Sequence, residues 1–166
     1  RGCDRASAVT IMNDTARTAL AKVPAVTLGF WIIKILATTL GETGGNTLSM
    51  SMNLGYLSST FIFLGILSAL VIAQIMAKRF NAWLYWATII ASTTAGTTMA
   101  DFATRSLGIG YPGGSLLLLG LVLASLFAWH RRLGSISVAT VHEPRAEIFY
   151  WLTITFSQTL GTALGD

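Results

Sequence analysis

The sequence predicts an all-α protein, a polytopic transmembrane helix bundle of tandem two-helix repeats that share one orientation. Three observations carry this expectation. The 166 residues fall into long blocks without charge, a motif anchored on Trp recurs three times, and basic residues collect in alternate loops. Composition removes other classes first. Hydrophobic residues make up 53% and charged residues 11%, against about a quarter charged in soluble domains. The mean hydropathy is +0.65. A chain with so little polar surface is unsuited to be a soluble enzyme, a disordered segment or a nucleic-acid-binding domain. The net charge of +4 does not restore the last of these, because the basic residues sit between the apolar blocks.

The elements follow in order from where charge is missing. The first helix is expected at about 23–41, apolar except for Lys34. No charge lies between Glu42 and Lys78, which places a second helix at about 55–77. Arg79 to Asp101 encloses a third at about 80–100, Arg105 to Arg131 a fourth at about 109–129, and Glu147 to Asp166 a fifth at about 148–165. Each charge-free block holds at least 18 residues, and a spanning helix needs ~20. Backbone amides in a bilayer must bond within their own segment, so these blocks read as helices. A membrane barrel would alternate apolar and polar residues, and the run from Phe61 to Leu67 does not. Nine of the Lys and Arg residues lie before the first helix or in the loops after the second and fourth, against Arg105 alone in the opposite loops. That asymmetry predicts a cytoplasmic N-terminus, and Trp83, Tyr85, Trp86, Trp129, Tyr150 and Trp151 read as interfacial anchors on the same side. Residues 1–22 form a polar segment without the apolar core of a signal peptide. Residues 133–147 form a cytoplasmic loop. The chain begins with Arg1 and stops at Asp166, at the end of a spanning helix, and reads as a fragment.

The repeat is the strongest signal. Aligned on Trp31, Trp86 and Trp151, the chain has Phe30, Tyr85 and Tyr150 one residue before; Thr39, Thr94 and Thr159 eight after; and Gly41, Gly96 and Gly161 ten after. Gly45, Ala100 and Gly165 follow at fourteen, then Asn46, Asp101 and Asp166 at fifteen. The second helix repeats as well: a shift of 55 residues carries Gly55-Tyr56 onto Gly110-Tyr111 and Leu64-Gly65 onto Leu119-Gly120. Repeat one spans 23–79 and repeat two 80–132, while 148–166 is the first helix of repeat three. Two helices per unit make the units parallel rather than inverted.

The stretch from Lys22 to Trp31, with Lys34 and Ala37-Thr38-Thr39-Leu40-Gly41-Glu42, resembles the signature of a bacterial integral-membrane family built from a tandem repeat of unknown function. The resemblance covers about 22–166. It implies four repeats, each with two transmembrane helices and a characteristic Trp, so that a fourth repeat and the second helix of the third are missing here. It implies no particular activity. Asn46 stands where the motif usually ends in Asp.

Positions three, seven, eleven and fifteen after each Trp fall on one drifting helical face. That face is Lys34, Thr38, Glu42 and Asn46 in the first repeat. It is Ile89, Thr93, Thr97 and Asp101 in the second, and Ile154, Gln158, Thr162 and Asp166 in the third. Polar stripes are costly against lipid, so they should meet inside the bundle. Their oxygens suit hard cations or protons rather than soft metals. The glycines and threonines have a second reading as packing devices of the small-x-x-x-small kind. Glu42 and Asp101 have a second reading as groups facing water. Lys34 lies mid-helix, where a charge costs at least ~2.5 kcal/mol, so it should turn inward and pair with Asp101 or Asp166. Cys3 stands alone, His130 and His142 read as solvated, and no catalytic motif appears.

The expectation is therefore a transporter or permease for a small solute, foremost a cation coupled to protons, in a bacterial inner membrane. The transport candidates are Lys34, Glu42, Asn46, Asp101, Asp166, Thr38, Thr93 and Gln158. The packing candidates are Trp31, Trp86, Trp151, Thr39, Thr94, Thr159, Gly41, Gly96 and Gly161. No enzyme activity and no cofactor are expected. The expected partners are the bilayer and a small solute or cation, without nucleic acid. The alternative is a non-catalytic membrane scaffold or accessory subunit of a larger membrane assembly, with its own copies or another membrane protein as partner.

Overall fold

The computed structural model describes residues 22–51, 55–77, 79–106, 109–136, 141 and 143–165. Among these residues five α-helices follow in order: α1 Leu28–Asn46, α2 Tyr56–Met76, α3 Ala82–Asp101, α4 Gly110–Leu133 and α5 Pro144–Gly165. A five-residue π-turn extends α1 at Thr47–Ser51, and another extends α3 at Phe102–Ser106. No strand occurs among the described residues.

Local chemistry sets the helix starts. Thr27 Oγ1 accepts the Phe30 amide at 3.3 Å, and Asn81 Oδ1 accepts the Leu84 amide at 3.3 Å. Both satisfy amides that the first turn leaves orphaned. The starts of α2 and α4 use glycines 55 residues apart, Gly55 at φ 75° and Gly110 at φ 67°, a conformation that suits residues without a Cβ. Gly134, at φ 74°, closes α4 by donating to the His130 carbonyl at 2.8 Å. Pro144 opens α5 at a position where its missing amide costs nothing. The first helix runs to Asn46 rather than ending near Gly41, because Gly41 and Gly45 serve as a contact face against α3 rather than as a stop.

α3 is the axis of the bundle and packs against α1, α2 and α5, while α4 packs on α5 and on the π-turn after α3. The second helix of each repeat thus lies against the motif helix of the next. Two helices, α2 and α4, are long and apolar enough to cross a membrane. The other three carry too many Thr, Gly and charged residues to meet that measure. Polarity runs inside out. Only 22% of the most apolar window of α2 or of α4 is buried. The interior instead holds Ser92, Thr93, Thr94, Thr97, Thr98 and Asp101 of α3 and Thr155, Thr159 and Thr162 of α5.

The aromatic residues depart from the interfacial expectation. Tyr85, Trp129, Tyr150 and Trp151 are buried in one core cluster with Trp86 packed against it, and of these six expected anchors Trp83 alone is exposed, at 88%. They fill the end of the bundle where the motif helices begin.

Candidate functional site

The three motif helices lie side by side, parallel and in repeat register. Tyr85 Oη and Tyr150 Oη, both one residue before their Trp, share a hydrogen bond of 2.8 Å. Thr93 Oγ1 donates to Gln158 Oε1, both seven after. Thr97 and Thr162, both eleven after, bring their hydroxyls to 3.5 Å. Gln158 Nε2 also donates to Ser92 Oγ at 2.8 Å, and Ser92 meets Thr155 at 3.1 Å. The Trp and Gly positions form a staircase from one repeat to the next. Phe30 packs on Trp86 at 5.5 Å between ring centres, and Tyr85 packs on Trp151 at 5.6 Å. A Cβ on Gly41 would sit 2.8 Å from Thr93 Cβ, and one on Gly96 would sit 3.1 Å from the Thr159 amide nitrogen.

The staircase also explains which packing candidates do not pack. Trp31 is 54% exposed, and among the described residues its ring meets only Phe30 of its own helix. A Cβ on Gly161 would meet nothing within 4 Å, because no further motif helix lies against it among the described residues. Thr39 is exposed on α1, whereas Thr94 and Thr159 are buried.

Beside the last threonine pair, the three helices line a cavity of about 190 Å³. It is lined by Glu42 and Asn46 of α1, Thr97 of α3, Arg105 of the π-turn, and Gly161, Thr162 and Gly165 of α5. The structure therefore brings together Glu42, Asn46 and the position-eleven threonines of the other two repeats. It places Thr93 and Gln158 in the α3–α5 seam one turn below, and leaves Thr38 half-buried on α1. Asp166 lies outside the described residues.

Lys34 and Asp101 do not form the expected pair. Asp101 is 2% exposed and bonds Arg105 Nε at 3.1 Å, four residues on. Arg105 Nη1 donates to Tyr56 Oη at 3.4 Å, with the guanidinium 5.9 Å from the Tyr56 ring centre. Desolvation works against the Arg105 charge, but Asp101 and Tyr56 outweigh it and hold the guanidinium above its ordinary value. Lys34 shares the helical face of Ala37 and Gly41, and its Nζ is buried without a hydrogen-bond partner among the described residues.

Two features escape the sequence reading. Arg105 lies in a π-turn rather than in the expected loop, and its i,i+4 spacing from Asp101 is the local sign that the helix continues. At the opposite end, Lys22 Nζ meets Glu147 Oε1 at 2.6 Å with both side chains buried. No local spacing joins residues that far apart in sequence.

The chain matches the family described as Repeat of Unknown Function (DUF347) over residues 29–80 and again over 84–134. These two matches cover more than half the chain. The chain belongs to this family. The two matched repeats coincide with α1–α2 and α3–α4, so the family unit is one motif helix with the apolar helix that follows it. No curated protein and no solved structure is detectably similar.

Proposed function

We propose that the protein is a multi-pass transporter of a small cation, held in a bacterial cytoplasmic membrane with its N-terminus inside. The observation that carries this reading is the polar cavity where the three repeat stripes converge in a bundle whose apolar helices face outward. Phe61, Leu116 and Phe127 are exposed at 68%, 70% and 64%. A surface of that kind is unfavourable in water and suits lipid. Buried hydroxyls and amides answer one another inside, as they do between membrane helices. All five helices span in this reading. The basic residues at the motif-start end then lie in the cytoplasm, and the cavity opens toward the other side.

The cavity chemistry favours a cation. Asp101 neutralises Arg105, which leaves the Glu42 carboxylate as the net charge of the lining. The Asn46 amide and the hydroxyls of Thr97 and Thr162 add neutral oxygens, and such sets suit hard cations. Coupling to protons falls to Lys34. Its amine is buried on the helix that carries Glu42, about 12 Å further down. The test is flux of monovalent, divalent and organic cations and of protons into liposomes holding the full chain. Wild type should move at least one cation. Glu42→Gln should abolish that flux with folding intact, and Lys34→Met should uncouple it from protons. Absence of flux for every cation, from well-folded protein, overturns the cation reading. Self-association through the exposed α1 face of Trp31, Ile32, Ile35 and Leu36 would then favour the scaffold.

A further inference from the structure

The end of the bundle opposite the cavity is closed by charge as well as by aromatic packing. Lys22, just before α1, is 8% exposed, and its amine holds three groups from two other helices. It meets Glu147 Oε1 of α5 at 2.6 Å and donates to the carbonyls of Gln74 and Ile75 in the last turn of α2, each at 3.2 Å. Its backbone amide donates to the Val141 carbonyl at 3.0 Å. The last carbonyls of a helix lack intrahelical partners and carry partial negative charge, so an ammonium suits that place. Lys22 thereby ties the entry to α1, the exit of α2 and the start of α5. The Tyr85–Tyr150 hydrogen bond joins α3 to α5 in the aromatic cluster at this same end.

This closure breaks the repeat. The positions equivalent to Lys22, nine before each Trp, are Ala77 and His142, and those equivalent to Glu147, four before, are Thr27 and Ala82. Aromatic steps and glycine contacts recur from repeat to repeat, but the ion pair joins one place only. A buried pair contributes little net stability compared with apolar packing. It does make a sharp two-state contact, because a separated buried charge is disfavoured until water reaches it.

We propose that the Lys22–Glu147 pair is the latch of this end of the bundle, and that its separation opens the α3–α5 seam to the side on which the motif helices begin. This rests on the transporter reading, in which the cavity must reach each side of the membrane in turn. The latch is the contact broken between the two states.

The test uses the full chain in liposomes with Cys3→Ser and Gly161→Cys, which places one thiol in the cavity where a side chain fits. A membrane-impermeant thiol reagent is supplied to one side or the other. With the latch intact, labelling comes from the cavity side. In Lys22→Gln with Glu147→Gln, which removes both charges of the pair together, labelling from the motif-start side should rise at least about tenfold. That corresponds to about 1.4 kcal/mol in the open population. Lys22→Arg, which keeps a cation between Glu147 and the α2 carbonyls, should keep the one-sided pattern. One-sided labelling in all three proteins, each with a cooperative unfolding transition, overturns the latch and leaves the cavity reading intact. Labelling from neither side overturns the transporter reading and the latch with it.

Discussion

One methyl group distinguishes the motif glycines. At Gly41 it would fall 2.8 Å from Thr93 Cβ and 3.0 Å from the Ile90 carbonyl, whereas at Gly161 it would enter open space. Gly41→Ala should therefore destabilise the protein by about 1–3 kcal/mol through overpacking. Gly161→Ala should be neutral or stabilising by up to about 1 kcal/mol, the helix preference of Ala over Gly. Thermal unfolding of both variants in detergent checks this, and equal losses would contradict the staircase. The same scale sets the charges. Asp101 forms an ion pair with the arginine four residues on, and Lys34 is a buried amine without a hydrogen-bond partner among the described residues.

At the scale of elements, the parallel register of α3 and α5 is the feature on which the site depends. Thr97 and Thr162 bring their hydroxyls to 3.5 Å. In a Cys3→Ser background, Thr97→Cys with Thr162→Cys should form a disulfide under mild oxidation, seen as a mobility shift reversed by reductant. Failure to cross-link would contradict the register. Much of this arrangement was legible beforehand. The spacing of Trp86 and Trp151 gave the offset by which Thr93 finds Gln158 and Tyr85 finds Tyr150, and the alternation of helices gave the parallel direction. The end of α1 was misread because Gly41 resembles a stop when seen locally, while its absent side chain is what lets α3 approach. Trp129, Tyr150 and Trp151 resemble an interfacial belt for a similar reason: position near a helix end does not show which face a neighbour covers. The Lys22–Glu147 contact was beyond reach, since neither residue recurs from repeat to repeat and nothing near either one names the other.

For the whole molecule, the telling property is the inversion of polarity. The apolar helices α2 and α4 are mostly exposed, and the polar helices α3 and α5 supply most of the interior. One end is filled by aromatic rings and the Lys22–Glu147 pair, and the other holds a cavity of about 190 Å³ lined by all three motif helices. If cations pass through that cavity, filling it must stop them. Flux of the transported cation would be measured in liposomes holding the Cys3→Ser, Gly161→Cys protein, before and after a bulky thiol reagent has reacted to completion. Flux present beforehand should fall to the level of empty liposomes and return when a reducible adduct is removed. Undiminished flux through fully modified protein would contradict a cation path through the cavity.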